Sequence, residues 1–447
     1  MSLNGRLIFP SDAFNALRTF FLATQSEMSA ACFITPTGDS DMARLLWQET
    51  VFPSAADCLV SNEWHVTLRP EFVSTTIQRA KRNDWGVVFV HSHPGDPKIP
   101  HFSSFDDKGE WHLSRFTQQR LGSTPCAAMV VSPGGVAARR LATNDQLRVV
   151  EVGERYIVAS GLKQLQTLDL SKDRQIRAFG TEGQAVLENL TIGIVGVGGT
   201  GSIIAEQLAH LGVKQFILID DDTIEATNLN RVVGAVTADI GQLKVDIASR
   251  HIRSISSQSD VQVVVGSVLE ECIVKELLRC DLVFCCTDSH GSRAVLNQLA
   301  YQYFVPVIDM GLVIVATHEN VSYISGRVQM LGPGNPCLTC GELLDPSEIR
   351  IDLMTSAERQ RDPYIVGQRE IQPAVISFNS FISSMSVNMF MAVVLNLPMK
   401  ARFQLYNGVT GTVRNVDQRR YPDCIVCSSA GAFGKGDKWR LPARQCR

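Results

Sequence analysis

A glycine-rich turn in the middle of the chain lies between a short apolar run and a helical pattern. The turn contains Gly196, Gly198, Gly199 and Gly201, and the helical pattern continues from there to residue 211. The apolar runs of this half lie at residues 191–195, 215–219, 261–265, 282–286 and 305–308. Apolar strands that alternate with helices are typical of a mostly parallel sheet covered on both faces. The sequence therefore predicts a doubly wound α/β domain here.

The composition excludes several classes of protein. With 447 residues, 45% of them hydrophobic and 19% charged, the chain is too long and too apolar to be disordered, and it predicts two or three domains. Its 42 basic and 45 acidic residues leave a net charge of −3, which gives no overall attraction to nucleic acid or to an anionic membrane. No basic segment followed by a long apolar core opens the chain, so we expect a cytoplasmic protein without disulfides.

One stretch, residues 372–399, contains no charged residue and is long enough to span a membrane. Serines and asparagines interrupt it at Ser377, Asn379, Ser380, Ser383, Ser384, Ser386 and Asn388. That polarity favours a helix buried in a large core over a membrane span. We therefore expect no membrane association.

A different pattern precedes residue 150. A helical pattern at residues 11–24 is followed by an apolar run at 30–34. Pro70 opens a second helical pattern that runs to about residue 81, because proline is favoured at the first helical position. Residues 87–90 are apolar and rich in β-branched side chains, which predicts a buried strand that ends at His91. The N-terminal part is therefore expected to form a separate α/β domain.

Two histidines stand where this strand ends. Because residues two apart in an extended chain point to the same side, His91 and His93 can bind one metal ion. Ser103 and Asp106 follow at a predicted helix start, where the carboxylate can complete a three-ligand zinc site that leaves one position for water. Zinc acidifies bound water and polarises a carbonyl, as hydrolysis requires. A polar loop without metal is the alternative.

The complete string, His-Ser-His-Pro followed by Phe-Ser-Ser-x-Asp-Asp, resembles the JAB/MPN metalloproteases over about residues 10–150. These are zinc isopeptidases similar to deubiquitinases. The resemblance implies that His91, His93 and Asp106 are zinc ligands. It also implies that Ser103 stabilises the oxyanion formed during cleavage.

Two assignments within this resemblance stay open. The gap between the histidines and the serine is longer than in the commonest form of the motif, so the register one residue later, with Ser104 and Asp107, is an alternative. The family also uses a glutamate on an early strand as general acid and base. Glu27, just before an apolar run, is the natural candidate, and Glu49 is its competitor.

The glycine-rich turn predicts a nucleotide site. Its backbone amides and the N-terminus of the following helix can receive phosphates without obstruction by side chains. Asp220 ends the next predicted strand, where its carboxylate can bind ribose hydroxyls. An NAD-dependent dehydrogenase would carry the same two features, so they do not identify the nucleotide.

Polar and charged residues further along argue against nicotinamide chemistry. They are Asp222, Asn228, Arg231, Lys244 and Asp288. The carboxyl ends of parallel strands would gather these side chains beside the nucleotide. Arginine and lysine neutralise phosphoryl charge, and aspartate holds Mg²⁺. The pattern therefore favours ATP with magnesium.

Residues 170–430 as a whole resemble the Rossmann-like ThiF-type domain of ubiquitin-activating enzymes and of the bacterial adenylyltransferases that activate sulfur-carrier proteins. The resemblance implies that Asp220 binds ribose and that Asp288 positions magnesium. It further implies that Arg231 and Lys244 contact the triphosphate, with assistance from Asn228.

Arg174 lies in the segment Asp-Arg-Gln-Ile at residues 173–176. It matches an arginine that, in homodimeric relatives of the ThiF type, reaches into the active site of the neighbouring subunit. The resemblance therefore implies a homodimer, and an ordinary surface arginine is the alternative.

Two Cys-x-x-Cys pairs, Cys337 with Cys340 and Cys424 with Cys427, predict a structural zinc site because four thiolates form a closed tetrahedral set. Redox pairs are the alternative, but neither pair has the strand-to-helix setting of a thioredoxin motif. Thioester-forming members of the ThiF-type family carry a nucleophilic cysteine between such pairs, whereas residues 341–423 contain none. A covalent thioester is therefore not expected.

These patterns divide the chain into a JAB/MPN-like domain at residues 1–155, a linker at 156–172, a ThiF-type domain at 173–430 and a C-terminal tail at 431–447. By resemblance, JAB enzymes cleave after terminal glycines and ThiF-type enzymes adenylate them. One small β-grasp protein of the ubiquitin-like or sulfur-carrier class, ending in Gly-Gly, would serve both. We expect the zinc domain to trim residues after the diglycine and the second domain to form the acyl-adenylate.

Other functions stay open from the sequence. The protease could remove the modifier from its targets instead of trimming a precursor. A downstream thiol or sulfurtransferase partner could accept the activated carrier. An NAD-dependent oxidoreductase and a non-catalytic scaffold are the remaining alternatives.

Overall fold

The computed structural model divides the chain into two compact units. The first contains Met1–Leu162 and Gly434–Trp439, and the second contains Lys163–Phe433 and Arg440–Arg447. The structure describes residues 5–38, 44–165, 169–317, 320–362 and 373–446. The predicted tail at 431–447 is therefore shared between the two units, because its apolar and hydrogen-bonding groups find partners in both.

The first unit combines a large sheet with three helices in the part of the chain that is described. The strands are β1 (Arg6–Pro10), β2 (Ser29–Thr37), β3 (Arg44–Val51), β4 (Cys58–Ser61), β5 (Val66–Leu68), β6 (Gly86–Ser92), β7 (Ala127–Ser132), β8 (Gly135–Arg140), β9 (Gln146–Val152) and β10 (Tyr156–Val158). The helices are α1 (Ser11–Phe21), α2 (Pro70–Asn83) and α3 (Ser104–Leu121). Pro70 begins α2 as predicted, and β6 extends the predicted strand by a residue or two at each end.

The strand order of this sheet is β1-β3-β2-β6-β7-β8-β9-β10, with β4 and β5 forming a separate hairpin. Because β1 also pairs with β9, the sheet curves back on itself. Alternate residues of β2 enter two different cores: Cys32 packs with Phe14 of α1, and Phe33 packs with Ile77 of α2. The period-two alternation of an extended strand thus separates α1 from α2 on opposite faces.

The second unit is an α/β layer structure. Its strands are β11 (Thr191–Val195), β12 (Gln215–Ile219), β13 (Asp260–Val264), β14 (Leu282–Cys285), β15 (Val307–Thr317), β16 (Asn320–Leu331), β17 (Phe403–Asn407) and β18 (Thr412–Asn415). Its helices are α4 (Asp173–Asn189), α5 (Gly201–Leu211), α6 (Lys244–Ile255), α7 (Glu271–Glu276), α8 (His290–Gln302), α9 (Pro346–Leu353), α10 (Ser356–Arg361) and α11 (Ile376–Val394).

The sheet order is β13-β12-β11-β14-β15-β16-β17-β18. The strands from β13 to β15 are parallel, and those from β15 to β18 are antiparallel. The order reverses between β11 and β14, which is where doubly wound sheets bind ligands. All five predicted runs are strands, which confirms the α/β prediction. The last differs in extent, since β15 continues past the parallel layer to Thr317 by pairing with β16.

Helix α11 occupies the uncharged stretch that is long enough to span a membrane. By length and composition it is a membrane-span candidate among the described helices, yet 56% of its apolar window is buried inside the protein. Its polar residues are used internally: the Ser383 hydroxyl donates to the Thr200 carbonyl, and Gln207 donates to the Ser384 hydroxyl. These contacts are what a core helix makes.

A disulfide joins Cys272, in α7, to Cys446, with a Cα–Cα distance of 6.0 Å. The expectation of a chain without disulfides is therefore wrong for this pair. The two residues meet because the C-terminal segment bonds to the residues before α7: the Arg444 amide donates to the Leu269 carbonyl. A separation of 174 residues gives no local sequence signal for such a pairing.

Candidate functional site

In the first unit, two imidazoles and a carboxylate meet at the end of β6. The His91 Nε2 lies 3.2 Å from Oδ1 of Asp106, and the His93 Nε2 lies 3.8 Å from Oδ2 of the same residue. One ligand atom from each of these three residues can be chosen so that all lie within 4.8 Å of one another. The structure thus brings together the three side chains predicted to bind zinc.

The start of α3 fixes the position of Asp106. The Ser103 amide donates to Oδ2 of Asp106 at 2.6 Å, and the Asp106 amide donates to the Ser103 hydroxyl at 3.2 Å, so the two residues form a reciprocal helix cap. Asp107 points elsewhere and pairs with Arg139 at 2.7 Å. Ser104 is the first residue of the helix. This geometry favours the register with Ser103 and Asp106.

The two candidate glutamates occupy different surroundings. The buried Glu27 places Oε1 3.8 Å from Nε2 of His93. Burial raises the pKa of Glu27 to about 7, although the neighbouring His91 opposes the rise. Glu49 lies on β3, is 42% exposed and pairs with Arg79. The antiparallel pairing of β2 with β6 thus puts the segment containing Glu27, rather than Glu49, next to the histidines.

The chemistry of this donor set fits zinc. Two imidazoles and one carboxylate form a common three-ligand set with one position left for water. The His91 Nε2 is buried and has no hydrogen-bond partner among the described residues, as expected of an atom whose partner is an ion. Although burial favours the neutral acid, the electrostatic effect of the adjacent His91 and hydrogen bonds from Ser103 lower the pKa of Asp106, so the carboxylate is ionised.

A cleft of about 450 Å³ opens beside these residues. It is lined by Glu27 and Ser103 on the polar side. The apolar wall includes Trp64, Val66, Leu68, Phe105 and Leu113. Trp64, in the hairpin between β4 and β5, is 82% exposed. The cleft is therefore open to a large substrate.

In the second unit, the glycine-rich turn follows β11 at the reversal of strand order. Gly196 has a φ of +84°, and a Cβ on Gly201 would lie 1.9 Å from the Gly196 carbonyl oxygen. No other residue type fits at these two positions. The Val197 amide donates to Oδ2 of Asp220 at 2.7 Å, which ties the turn to the end of β12. The turn leaves room for a ligand backbone or phosphate at Gly198, where a Cβ would meet nothing.

The charged residues around this turn are paired with protein groups. The Lys244 Nζ lies 2.7 Å from Oδ2 of the exposed Asp222. The Arg231 guanidinium donates to the Thr227 carbonyl and to the Asn230 side chain. Burial raises the pKa of Asp220.

Three more predicted site residues lie in this unit. Asn228 is buried, and its Oδ1 accepts from the Glu225 amide at 3.1 Å. Asp288 is exposed just beyond β14. Arg174 is exposed in the first turn of α4.

The profile of the ThiF family matches residues 171–426, which is more than half of the chain. The chain belongs to the ThiF family. The match lies within the second unit and ends just before the last cysteine of the four predicted to bind zinc, so the first unit lies outside it.

Curated proteins with similar sequences have related descriptions. The chain is 24% identical over 254 residues to the SAMP-activating enzyme E1 of Haloferax volcanii, covering 56% of this chain and 85% of the relative. It is 25% identical over 291 residues to the adenylyltransferase and sulfurtransferase MOCS3 of Arabidopsis thaliana, covering 64% of this chain and 58% of that protein. It is 33% identical over 141 residues to the molybdopterin-synthase adenylyltransferase of Salmonella typhimurium, covering 31% and 57%. The chain thus spans little more than half the length of the last two.

The second unit also contains the four paired cysteines. The Cys337 Sγ lies 3.5 Å from that of Cys424, and the Cys340 Sγ lies 3.5 Å from that of Cys427. A tetrahedral zinc ion with bonds of about 2.3 Å would separate its sulfur ligands by about 3.8 Å. All four thiols are buried, and their sulfur atoms lie within 4.8 Å of one another. The donor set therefore fits a closed structural site.

Sequence reasoning missed a group of buried charges in the ThiF domain. Asp309 on β15 is fully buried and lies near Arg327 on β16 and Arg293 on α8. The only available signal was a charged residue inside each of two apolar strands. In the first unit, sequence reasoning also missed Arg139. Its guanidinium donates to Glu110 and Asp107 and thereby holds α3 against β8.

Proposed function

We propose that the second unit adenylates the C-terminal carboxylate of a small protein at the expense of ATP. The observation that carries this proposal is the glycine turn at the strand-order reversal, tied to Asp220 and flanked by Lys244, Arg231 and Asp288. Membership of the ThiF family supports the reaction type. The names of the relatives, which refer to activation of SAMP proteins and to molybdopterin synthase, support a ubiquitin-like or sulfur-carrier partner.

The reaction needs a phosphate cradle, cations and a metal-binding carboxylate. The turn amides receive phosphate oxygens, and Asp220 binds the ribose hydroxyls. A carboxylate oxygen of the carrier attacks the α-phosphorus, the bond to the bridging oxygen breaks, and its electron pair leaves with pyrophosphate. Lys244 and Arg231 stabilise the charge that accumulates on the phosphates. Asp288 would hold magnesium, which neutralises phosphate charge when bound.

This reaction is tested by ATP–pyrophosphate exchange. The purified full chain, with magnesium and a β-grasp protein that ends in Gly-Gly, should exchange labelled pyrophosphate into ATP. Exchange should require both the carrier and its free carboxylate, because the acyl-adenylate forms on that group. Stabilisation of the protein by NAD but not by ATP would contradict the proposal and favour an oxidoreductase.

The first unit favours a second function, hydrolysis of a peptide or isopeptide bond. The carrying observation is the set of His91, His93 and Asp106 beside the buried Glu27 and an open cleft. In this function the three residues would hold zinc, which supplies a Lewis acid for the scissile carbonyl and acidifies water. Glu27 takes the proton from water and returns it to the leaving amine, and the Ser103 hydroxyl donates to the carbonyl oxygen.

A matched pair of variants tests the peptidase. Glu27→Gln should retain zinc but lose at least about 100-fold in cleavage rate, because the proton acceptor is gone. Glu49→Gln should cleave as the unmodified protein does. Cleavage of a carrier with residues after Gly-Gly would favour precursor trimming, whereas release of a carrier from a lysine side chain would favour deconjugation. The reverse behaviour of the two glutamate variants would show that Glu27 is not the base.

The cysteine positions bear on the later fate of the adenylate. Residues 341–423 contain no cysteine, so we propose that an external thiol or a sulfurtransferase accepts the activated carrier.

The exposed position of Arg174 supports a homodimer in which this side chain enters the neighbouring site. If so, mixing an Arg174→Ala chain with a Lys244→Ala chain should restore part of the exchange activity that each lacks alone.

A further inference from the structure

Arg139 on β8 contacts three residues at or just before the start of α3. Its Nε donates to Oε2 of Glu110 at 2.8 Å, and its Nη2 donates to Oδ1 of Asp107 at 2.7 Å. Its Cζ lies 3.9 Å from the centre of the Phe102 ring. The side chains of Arg139 and Glu110 are both 9% exposed, so their ion pair is shielded from solvent. One guanidinium group thus joins a strand of the sheet to the beginning of a helix.

The contacts of Arg139 flank the two residues at the start of α3 that are proposed to act in peptide cleavage. Ser103 and Asp106 lie between Phe102 and Asp107 in the sequence. They also form the reciprocal cap that begins the helix. Arg139 therefore fixes the chain on both sides of this cap.

The strand register places Arg139 on the sheet face that carries one of the histidines. Arg139 is opposite Ala128 of β7, and Ala128 is opposite Phe89 of β6. Because alternate residues of a strand share a face, His91 lies on the same face as Phe89. His91 belongs to the sheet and Asp106 to the helix, and 3.2 Å separates Nε2 of the first from Oδ1 of the second. That distance depends on how α3 is held against the sheet.

The ion pair with Arg139 also makes a second carboxylate tolerable beside Asp106. Glu110 follows Asp106 by one helical turn, so the two side chains are neighbours on the helix surface. Glu110 is buried and lines the cleft beside the histidines. Its Oε1 has no hydrogen-bond partner in the part of the chain that the structure describes. Without the guanidinium, a buried and unpaired carboxylate would remain next to Asp106, which is costly.

We propose that Arg139 is a positioning residue of the peptidase site in the first unit. It holds the first turn of α3 against the sheet, so that Asp106 can share a metal ion with the two histidines and Ser103 lines the same cleft. The inference rests on the proposed peptidase function for the identity of the site. Groups that orient a metal ligand from outside the ligand set change metal affinity roughly 10- to 100-fold. A residue that only stabilises the fold would leave the zinc affinity of the folded protein unchanged.

The zinc affinity of the full chain tests this assignment. Arg139→Met keeps an aliphatic side chain but removes the cation, and it should weaken zinc binding at the histidines at least about tenfold. Competition with a chelator measures the affinity, and His93→Ala identifies the zinc that belongs to this site rather than to the four cysteines. The matched control is Arg79→Met, because Arg79 also pairs with a glutamate and lies 5.1 Å over an aromatic ring, but its partners Glu49 and Phe33 are on β3 and β2. Zinc affinity should be unchanged in this control.

Two further measurements separate positioning from stability. With cobalt in place of zinc, the visible absorption of the ion reports the arrangement of its ligands, once the spectrum of the His93→Ala protein is subtracted to remove cobalt bound at the cysteines. This absorption should change in Arg139→Met but not in Arg79→Met. In a double-mutant cycle, Glu110→Gln should add little to the loss of zinc affinity in Arg139→Met, because both variants break the same contact. Arg139→Lys keeps the charge and should recover part of the affinity.

The outcomes distinguish this inference from the function on which it rests. A lower melting temperature of Arg139→Met with unchanged zinc affinity and an unchanged cobalt spectrum would overturn the positioning role. If Arg139→Met does not fold, Asp107→Asn and Glu110→Gln each remove one charged partner of Arg139, and normal zinc affinity in both would overturn the role as well. An unmodified protein that binds no more zinc than His93→Ala would contradict the proposed peptidase, and this inference with it.

Discussion

The two candidate sites differ in how they are assembled. In the first unit, His91, His93 and Asp106 come from a stretch of 16 residues, and one donor atom of each already lies within 4.8 Å of the others. In the second unit, the candidate residues extend from Gly196 to Asp288, and Lys244 is paired with Asp222. A site for a compact ion is thus preformed by a short segment. The candidate site in the second unit instead has its lysine paired with an exposed carboxylate, which a bound phosphate would have to replace.

Because the two sites lie in separate compact units, damage to one should leave the other intact. The largest expected effect is at the preformed site. His93→Ala or Asp106→Ala should reduce carrier cleavage to background, since a metal site with two remaining ligands does not retain zinc. Cleavage assays and metal analysis by mass spectrometry check this, and ATP–pyrophosphate exchange should stay within twofold. Full cleavage by either variant would remove the basis for a metal centre here.

The next effect is at the adenylation site. Asp288→Ala and Arg231→Ala should each lower the carrier-dependent exchange rate by about 100-fold or more, because each removes a group that stabilises developing phosphate charge. Cleavage by the first unit should not change. Arg279→Met serves as the control for loss of an arginine in the same unit. Exchange within a few-fold of normal in Asp288→Ala would exclude this residue as the magnesium ligand.

A smaller effect is expected from the four-cysteine cluster, because a closed structural site takes part in neither reaction. The double variant Cys337→Ser, Cys340→Ser should lose one zinc ion per chain and melt several degrees earlier, since metal bound only to the folded state adds to its stability. Both measurements can be made on one preparation, with Cys126→Ser as a buried-thiol control. Unchanged zinc content together with an unchanged melting temperature would show that the cluster holds no metal.

The smallest effect concerns the ion pair between Lys244 and Asp222. Asp222→Asn frees Lys244 from an exposed carboxylate, so affinity for an ATP analogue should rise by up to a few-fold, in keeping with the modest strength of exposed ion pairs. Calorimetric titration at low salt measures the change. A fall in affinity would mean that Asp222 binds the nucleotide or its metal directly, and would remove this difference between the two sites.

Sequence reasoning recovered the features that depend on local pattern. The five apolar runs, the glycine turn and the helix beginning at Pro70 follow from periodicity and backbone geometry, and the structure has all of them. The choice between Asp106 and Asp107 could not be made in this way, because it depends on which serine caps α3. The choice between Glu27 and Glu49 depends on the pairing of β2 with β6, which joins residues 52 to 62 positions apart.

Long-range pairs account for most of what the sequence did not reveal. The Cys272–Cys446 disulfide joins residues 174 positions apart, and Asp309 meets Arg327 only through the register of β15 with β16. No spacing rule links such residues. The contact of one buried aspartate, Asp309, with two arginines is visible only when burial and distances are known. From the sequence alone, an arginine in a strand is equally compatible with a solvent-exposed edge of the sheet.

The segment Gly434–Trp439 belongs to the first unit although it is encoded after almost all of the second. Gln48 donates to the Gly434 carbonyl, and Lys438 donates to the carbonyls of Asn83 and Asp84. During translation, these groups of the first unit stay without their partners until residues 434–439 have been synthesised, after nearly all of the second unit. Domains generally fold as units in the order of synthesis, but here the first unit receives its final piece last. A chain that ends before residue 434 therefore lacks part of the first unit as well as the end of the second.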